Sequence, residues 1–126
     1  MALVITGQPI DPGVKFFTED ENALQVGWHS YPQGKVIKPH RHLPAELNKV
    51  INFQEVLYIQ EGKVRVLFFD EEGNQIHRKD LGIGDTIVLI AGGHGFEFLE
   101  PTKMLEVKQG PYNPNSRSSI ERKTPQ

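Results

Sequence analysis

The chain contains no cysteine, which excludes disulfides, thiolate metal sites and a cysteine nucleophile and suits a reducing compartment. It has no block of basic residues either. Net charge is −2 with both signs scattered along the chain, so nothing is laid out to neutralise a row of phosphates and nucleic acid is not an expected partner. Long apolar runs are also lacking. Even the run Ile87 to Ala91, which no apolar run exceeds, falls far short of the roughly 18 residues that suggest a membrane helix. The opening Met-Ala-Leu-Val-Ile-Thr-Gly has no basic start, and its apolar run is too short for a signal peptide. The expectation is a soluble, cytoplasmic protein with no membrane partner. No long amphipathic helical period and no low-complexity stretch occurs.

What the chain does have is turns. The 12 Gly and 9 Pro of its 126 residues fall between short apolar runs, the pattern of an all-β fold. The length suits a single domain, 1–126, with enough residues to bury a core without staples. An N-terminal arm, 1–20, carries the β-prone Leu3-Val4-Ile5 and the turn Asp11-Pro12-Gly13. Strands are expected over 24–31, over Lys35 to His42, Glu55 to Gln60, Lys63 to Phe69, Gln75 to Leu81, Thr86 to Ala91, His94 to Leu99, and Lys103 to Lys108. Between them, Pro44 opens a candidate helical turn through Asn48. A barrel core over about 24–110 is followed by a polar tail, 113–126, expected to fray or drape over a neighbour. Eight or more short strands at such spacing suggest a sandwich or a closed barrel.

Three of the five histidines sit at informative positions. His40 and His42 are two residues apart in an extended run, and in a strand such residues project from one face. Glu55 opens the next strong strand, and His94 follows Gly92-Gly93, where the chain turns back. Three neutral imidazoles and one carboxylate suit a first-row divalent ion, and an octahedral ion so held keeps two positions open. Alone, an His-x-His is weak evidence, since it also describes two solvated residues on a basic strand. A strand-edge charge would explain Glu55, and a turn residue would explain His94. None of these readings explains all four positions together.

The residues resemble the two motifs of the cupin family. The first reads Gly34-Lys-Val-Ile-Lys-Pro-His40-Arg-His42 and then Glu55-Val-Leu-Tyr-Ile-Gln-Glu-Gly62; the second reads Gly84-Asp85-Thr-Ile-Val-Leu-Ile-Ala-Gly92-Gly93-His94. The resemblance implies a double-stranded β-helix, or jelly-roll, barrel with one metal on His40, His42, Glu55 and His94. The gap of twelve residues between His42 and Glu55 is longer than the family's usual one. Glu46 would satisfy the short gap, but it lies in a stretch unlike a strand and has no glycine seven positions later. Ile90 replaces the usual proline, and Phe98 stands where an Asn often follows the last His.

The metal's identity stays open among Fe, Mn, Ni and Zn. The expected function is a metal-dependent enzyme acting on a small oxygen-rich molecule, a sugar or a keto or hydroxy acid, by isomerase or dioxygenase chemistry. The alternative is a non-catalytic cupin that binds or senses a small ligand. Phe96 and Phe98 share the strand face of His94 and are candidate pocket walls, with Tyr58 and Gln54 nearby in sequence. No catalytic base is identified; Gln54, Tyr58 and Glu97 are candidates by sequence proximity alone. His29 reads as a barrel-wall or interface residue and His77 as solvent-exposed. Lys108 and Glu106 share a strand face and form a surface pair unless that face lines the barrel. Lys38 and Arg41 are expected to be solvated. The resemblance also implies a homodimer, which would protect the exposed edge near Leu3 to Ile5.

Overall fold

The computed structural model describes residues 1–7, 11–44 and 52–109. Among them the fold is all-β, with nine strands and no helix: β1 (Ala2–Ile5), β2 (Gly13–Phe16), β3 (Gly27–Ser30), β4 (Glu55–Glu61), β5 (Lys63–Phe69), β6 (Gln75–Gly82), β7 (Thr86–Leu89), β8 (Gly93–Phe98) and β9 (Lys103–Lys108). No helix among the described residues is long and apolar enough to cross a membrane. The chain divides into two compact units, one formed by Met1–Gly7 with Phe53–Gln126 and the other by Gln8–Asn52.

The Gln8–Asn52 unit is built on the antiparallel pair β2–β3, with Val14 opposite His29 and Lys15 opposite Trp28. The connection between the strands is held by Gln25, whose Nε2 donates to the carbonyls of Glu19 at 2.9 Å and Asn22 at 3.0 Å. His29 is exposed between the rings of Phe16 and Tyr31. The run from Lys35 to His42 carries no strand pairing, contrary to expectation. Pro39 removes one of the backbone donors that a ladder would use there. Most of the candidate helical turn after Pro44, Glu46 included, and the tail 113–126 lie outside the described residues.

The larger unit contains two antiparallel sheets, ordered β1-β7-β4-β9 and β6-β5-β8. Only β5 and β6 are sequence neighbours within one sheet. From β4 onward every other connection carries the chain from one sheet to the other: β4 to β5, β6 to β7, β7 to β8 and β8 to β9. Such crossing is how two sheets come to share one core. Alternation along β4 turns Leu57 and Ile59 inward, and along β5 it turns Val64 and Val66 inward. With Leu81, Ile87 and Leu89 they form a buried cluster, closed at its margins by Ala2, Val4, Phe68, Phe96 and Met104. No sheet closes on itself among the described residues.

Tight crossings hold the sheets together. At Gly62 the backbone takes φ +91°, and a Cβ there would collide with the Pro101 carbonyl and Thr102; only glycine fits. At the β6–β7 crossing, the Gly82 N–H donates to Asp85 Oδ2 at 2.9 Å, and the Gly84 N–H donates to the Ile59 carbonyl at 2.8 Å. The Gly84-Asp85 pair of the second motif therefore ties β4 to the turn.

Two predictions follow from this packing. Leu57 is fully buried at the centre of the cluster, so Leu57→Ala is expected to lower unfolding free energy by about 2–5 kcal/mol in a urea titration. The second concerns acid. Arg65 forks onto Asp80, with Nε–Oδ1 at 2.7 Å and Nη2–Oδ2 at 3.1 Å, and this holds the Asp80 carboxyl below the ordinary carboxylate range. Hydrogen bonds from the backbone and side chain of Asn74 do the same for Asp70. A carboxyl depressed in the folded state contributes stability above its unfolded pKa and loses it as pH falls through the folded value. Stability should therefore decline on acidification below about pH 4. The double variant Asp70→Asn with Asp80→Asn should show a shallower decline in urea midpoints measured against pH.

Candidate functional site

The two inner faces of the larger unit are apolar at one end and polar at the other. Along β4 the inward residues run Ile59, Leu57, Glu55. Their partners on β9 are Met104, Glu106 and Lys108, and on β7 Leu89 lies opposite Glu55. Residues opposite each other in an antiparallel ladder share a face. Leu89 belongs to the buried cluster, so Glu55 and Lys108 lie on the core-facing side. In the other sheet, Val64, Val66 and Phe68 of β5 stand opposite Phe98, Phe96 and His94 of β8, and opposite Leu81, Lys79 and His77 of β6. The polar residues on the inward faces are thus Glu55, Glu106 and Lys108 in one sheet and His94, His77 and Lys79 in the other.

Glu55 and His94 meet across the gap between the sheets. Glu55 Oε2 and His94 Nε2 are 3.4 Å apart, and the side chains are 25% and 29% exposed. That is beyond the usual N–H···O range of about 2.7–3.2 Å. It does fit two ligands of one ion, because metal–ligand bonds of about 2.0–2.2 Å place neighbouring donors about 3–3.5 Å apart. One oxygen and one imidazole nitrogen form a donor set suited to a first-row divalent ion. His94 is delivered by the turn after β7. Gly92 takes φ +85°, and a Cβ there would lie 3.0 Å from the Phe69 carbonyl. The His94 ring then leans on Phe96, with centroids 5.5 Å apart.

His40 and His42 lie in the Gln8–Asn52 unit, both exposed, with ring centroids 5.2 Å apart. His40 Nδ1 is 3.0 Å from the Lys38 carbonyl. A carbonyl only accepts, so Nδ1 is the donor in this contact. Metal-ligating histidines are commonly oriented by a hydrogen bond of this kind. Among the described residues, no group of three or more His, Cys, Asp or Glu that could hold a metal is formed. The four expected ligands are therefore described as two pairs.

The other candidates are distributed as follows. Phe96 packs against the buried cluster on the His94 face, whereas Phe98, on the same face, is 58% exposed at the far end of the strand. Tyr58 pairs with Thr86 and Leu105 and so occupies the opposite face of β4 from Glu55. Glu97, opposite Arg65, is likewise on the other face from His94. Gln54 is buried, and its backbone N–H donates to Gln109 Oε1 at 2.8 Å. His77 is exposed, as expected, and stacks on Phe68. An open cavity of about 570 Å³ lies on the β1 and β6 side, lined by Ala2, Val4, Phe68, His77 and Lys79 among others. Sequence reading did not anticipate it, because it depends on which strands end each sheet.

The chain matches no family model, no curated protein and no solved structure. The site is therefore read from its own residues.

One prediction tests how His94 is positioned. Gly92→Ala places a side chain at positive φ beside the Phe69 carbonyl, and it is expected to cost about 1–3 kcal/mol in chemical denaturation. A change of a few tenths would show that this turn has no such constraint.

Proposed function

We propose that the chain is a cupin-type protein, wound as a double-stranded β-helix, that holds one divalent transition metal on Glu55, His94, His40 and His42. Its function on this reading is that of a metal-dependent enzyme acting on a small oxygen-rich molecule, either a sugar or a keto or hydroxy acid. The observation that carries the proposal is the 3.4 Å approach of Glu55 Oε2 to His94 Nε2 from opposite sheets. These two side chains lie 39 positions apart, and their separation suits a shared ion. The repeated crossing of the chain between two sheets supports the β-helix winding, since jelly rolls are double-sheet folds. The hydrogen bond that orients the His40 ring through Nδ1, with His42 beside it, supports the second half of the ligand set.

A bound divalent ion would supply Lewis acidity at a carbonyl or hydroxyl of the ligand. The protein's part is to keep His94 oriented through Phe96 and the Gly92 turn, and to exclude water on the apolar side through Leu57 and Leu89. A second reading, a binding or sensing module without turnover, is favoured by one observation. The proton-transfer candidates Tyr58 and Glu97 occupy faces turned away from Glu55 and His94. A homodimer belongs to the same proposal: among the described residues β1 ends its sheet, and an open edge is a template for a second chain.

Elemental analysis of protein purified without chelator or metal-affinity resin tests the reading. About one divalent ion per chain is expected. Glu55→Gln and His94→Ala should each weaken retention at least about tenfold, by analogy with the loss seen even for supporting residues of metal sites. Wild-type protein that takes up neither Fe, Mn, Ni nor Zn after dialysis would sink it. With metal bound, turnover on a panel of sugars and keto acids separates enzyme from sensor.

A further inference from the structure

We infer that the cavity between the edge strands β1 and β6 binds a small amphipathic monoanion, a carboxylate on an apolar chain of medium length, with Lys79 pairing with its head. The inference needs no metal: Glu55 and His94 do not line this cavity, and Phe68 stands between His77 and His94 in the ladder. The walls come from the ends of both sheets, where β1 and β6 are the last strands of their orders. Ala2 and Val4 of β1 stand opposite Leu89 and Ile87 and so face inward, on the side of the buried cluster. From the other sheet, Lys79 stands opposite the buried Val66, and His77 opposite Phe68, on the inward face of β6. The space is about 570 Å³, within the range of about 300–1,000 Å³ usual for small-molecule sites.

Two local features fit the cavity to such a ligand. The β5–β6 ladder shifts by one residue after the Phe68–His77 pair, because Phe69 stands opposite Gln75. Ile76 is the extra residue of this bulge, and bulges re-aim side chains. Here Ile76 lines the cavity while it stays 64% exposed, an aliphatic lip on a strand otherwise polar from Gln75 to Asp80. The second feature is charge. Among the described residues the Lys79 ammonium has no hydrogen-bond or ion-pair partner. An inward lysine on an edge strand ordinarily keeps that edge from pairing; this one also borders a cavity with Ala2, Val4 and Phe68 in its walls. Such walls take an apolar tail out of water, and the ammonium is left to pair with a carboxylate head. Asp70 and Glu71 line the hairpin end. Asp70 lies four residues beyond Val66, at most about 13 Å of extended chain. Its carboxylate already accepts from the N–H groups of Glu72 and Asn74 and from Asn74 Nδ2. A second anionic group at that end would meet two carboxylates, so the site takes a monoanion and refuses a dianion.

The test uses octanoate as probe on the full chain after chelator treatment. Saturable binding of millimolar or tighter affinity is expected in calorimetry, with amide shift changes in NMR spectra at Ala2, Phe68, Ile76 and Lys79. Lys79→Met is expected to weaken octanoate binding about tenfold, the scale of one charge-assisted hydrogen bond. Arg78→Met, which removes a cation from the other face of the same strand, should bind as wild type does. Suberate, with a carboxylate at each end, should bind at least about fivefold more weakly than octanoate. Ile76→Asp changes an exposed position, so the urea midpoint should hold while octanoate binding falls at least about fivefold. A wild type without saturable binding overturns the inference, as do equal affinity in Lys79→Met and wild type, equal weakening in Arg78→Met, or suberate as tight as octanoate. Shift changes confined to the residues around Glu55 and His94 also overturn it, because the probe would then occupy the other site. So does a dimer in sedimentation that ignores octanoate and falls to monomer in Ile76→Asp, because a second copy would then cover the cavity.

Discussion

The constraint from which the rest of the larger unit follows is that two sheets must bury one apolar face each against the other. Leu57, Ile59, Ile87 and Leu89 on one sheet, and Val64, Val66 and Leu81 on the other, form one buried cluster. A core of seven buried aliphatic side chains fills the gap without a helix. Because the chain changes sheet at nearly every connection, neither sheet can separate without breaking a turn. Gly62, Gly84 and Gly92 all take positive φ at these crossings, where the chain has almost no length in which to reverse. The same constraint creates the polar end. Once Leu57 and Ile59 face inward, period-two alternation forces Glu55 inward too.

That consequence gives the candidate centre its character. A carboxylate on the core side of a strand is costly to leave without a partner, and here it lies 3.4 Å from an imidazole of the facing sheet. The inward row ends in charge at the Glu55 end of the strand. The outer faces are organised differently. Arg65 pairs there with Asp80, and Glu97 stands opposite Arg65.

Much of the fold was legible in the sequence because the strands are short, alternating and punctuated by glycine. The bounds of β4, β5, β6 and β9 lie within one residue of those expected, and Gly62 and Gly84 stand at the turns their motif positions suggest. β2 was missed because Gly13-Val-Lys-Phe16 sits beside a turn signal and has little alternation. The run from Lys35 to His42 was read as a strand on composition, but a strand exists only with a partner, and none is paired to it here. The site was legible as a set of residue types and not as an arrangement. Parity along β4 separates Tyr58 from Glu55, and parity along β8 separates Glu97 from His94. The inward direction itself becomes known only once the core is.

Lys108 shows why pairing carries positional information that spacing cannot. In sequence it lies 53 residues from Glu55, with nothing to connect the two. In the ladder it is the adjacent residue. Had β9 slipped by one position, every side chain on it would change faces: Met104 would leave the core margin and Lys108 would move to the other face of the strand. The packing of the partly buried Met104 at the core margin, opposite Ile59, therefore fixes the register that sets Lys108 opposite Glu55. A packing interaction at the apolar end of the strand determines which charge stands at the polar end.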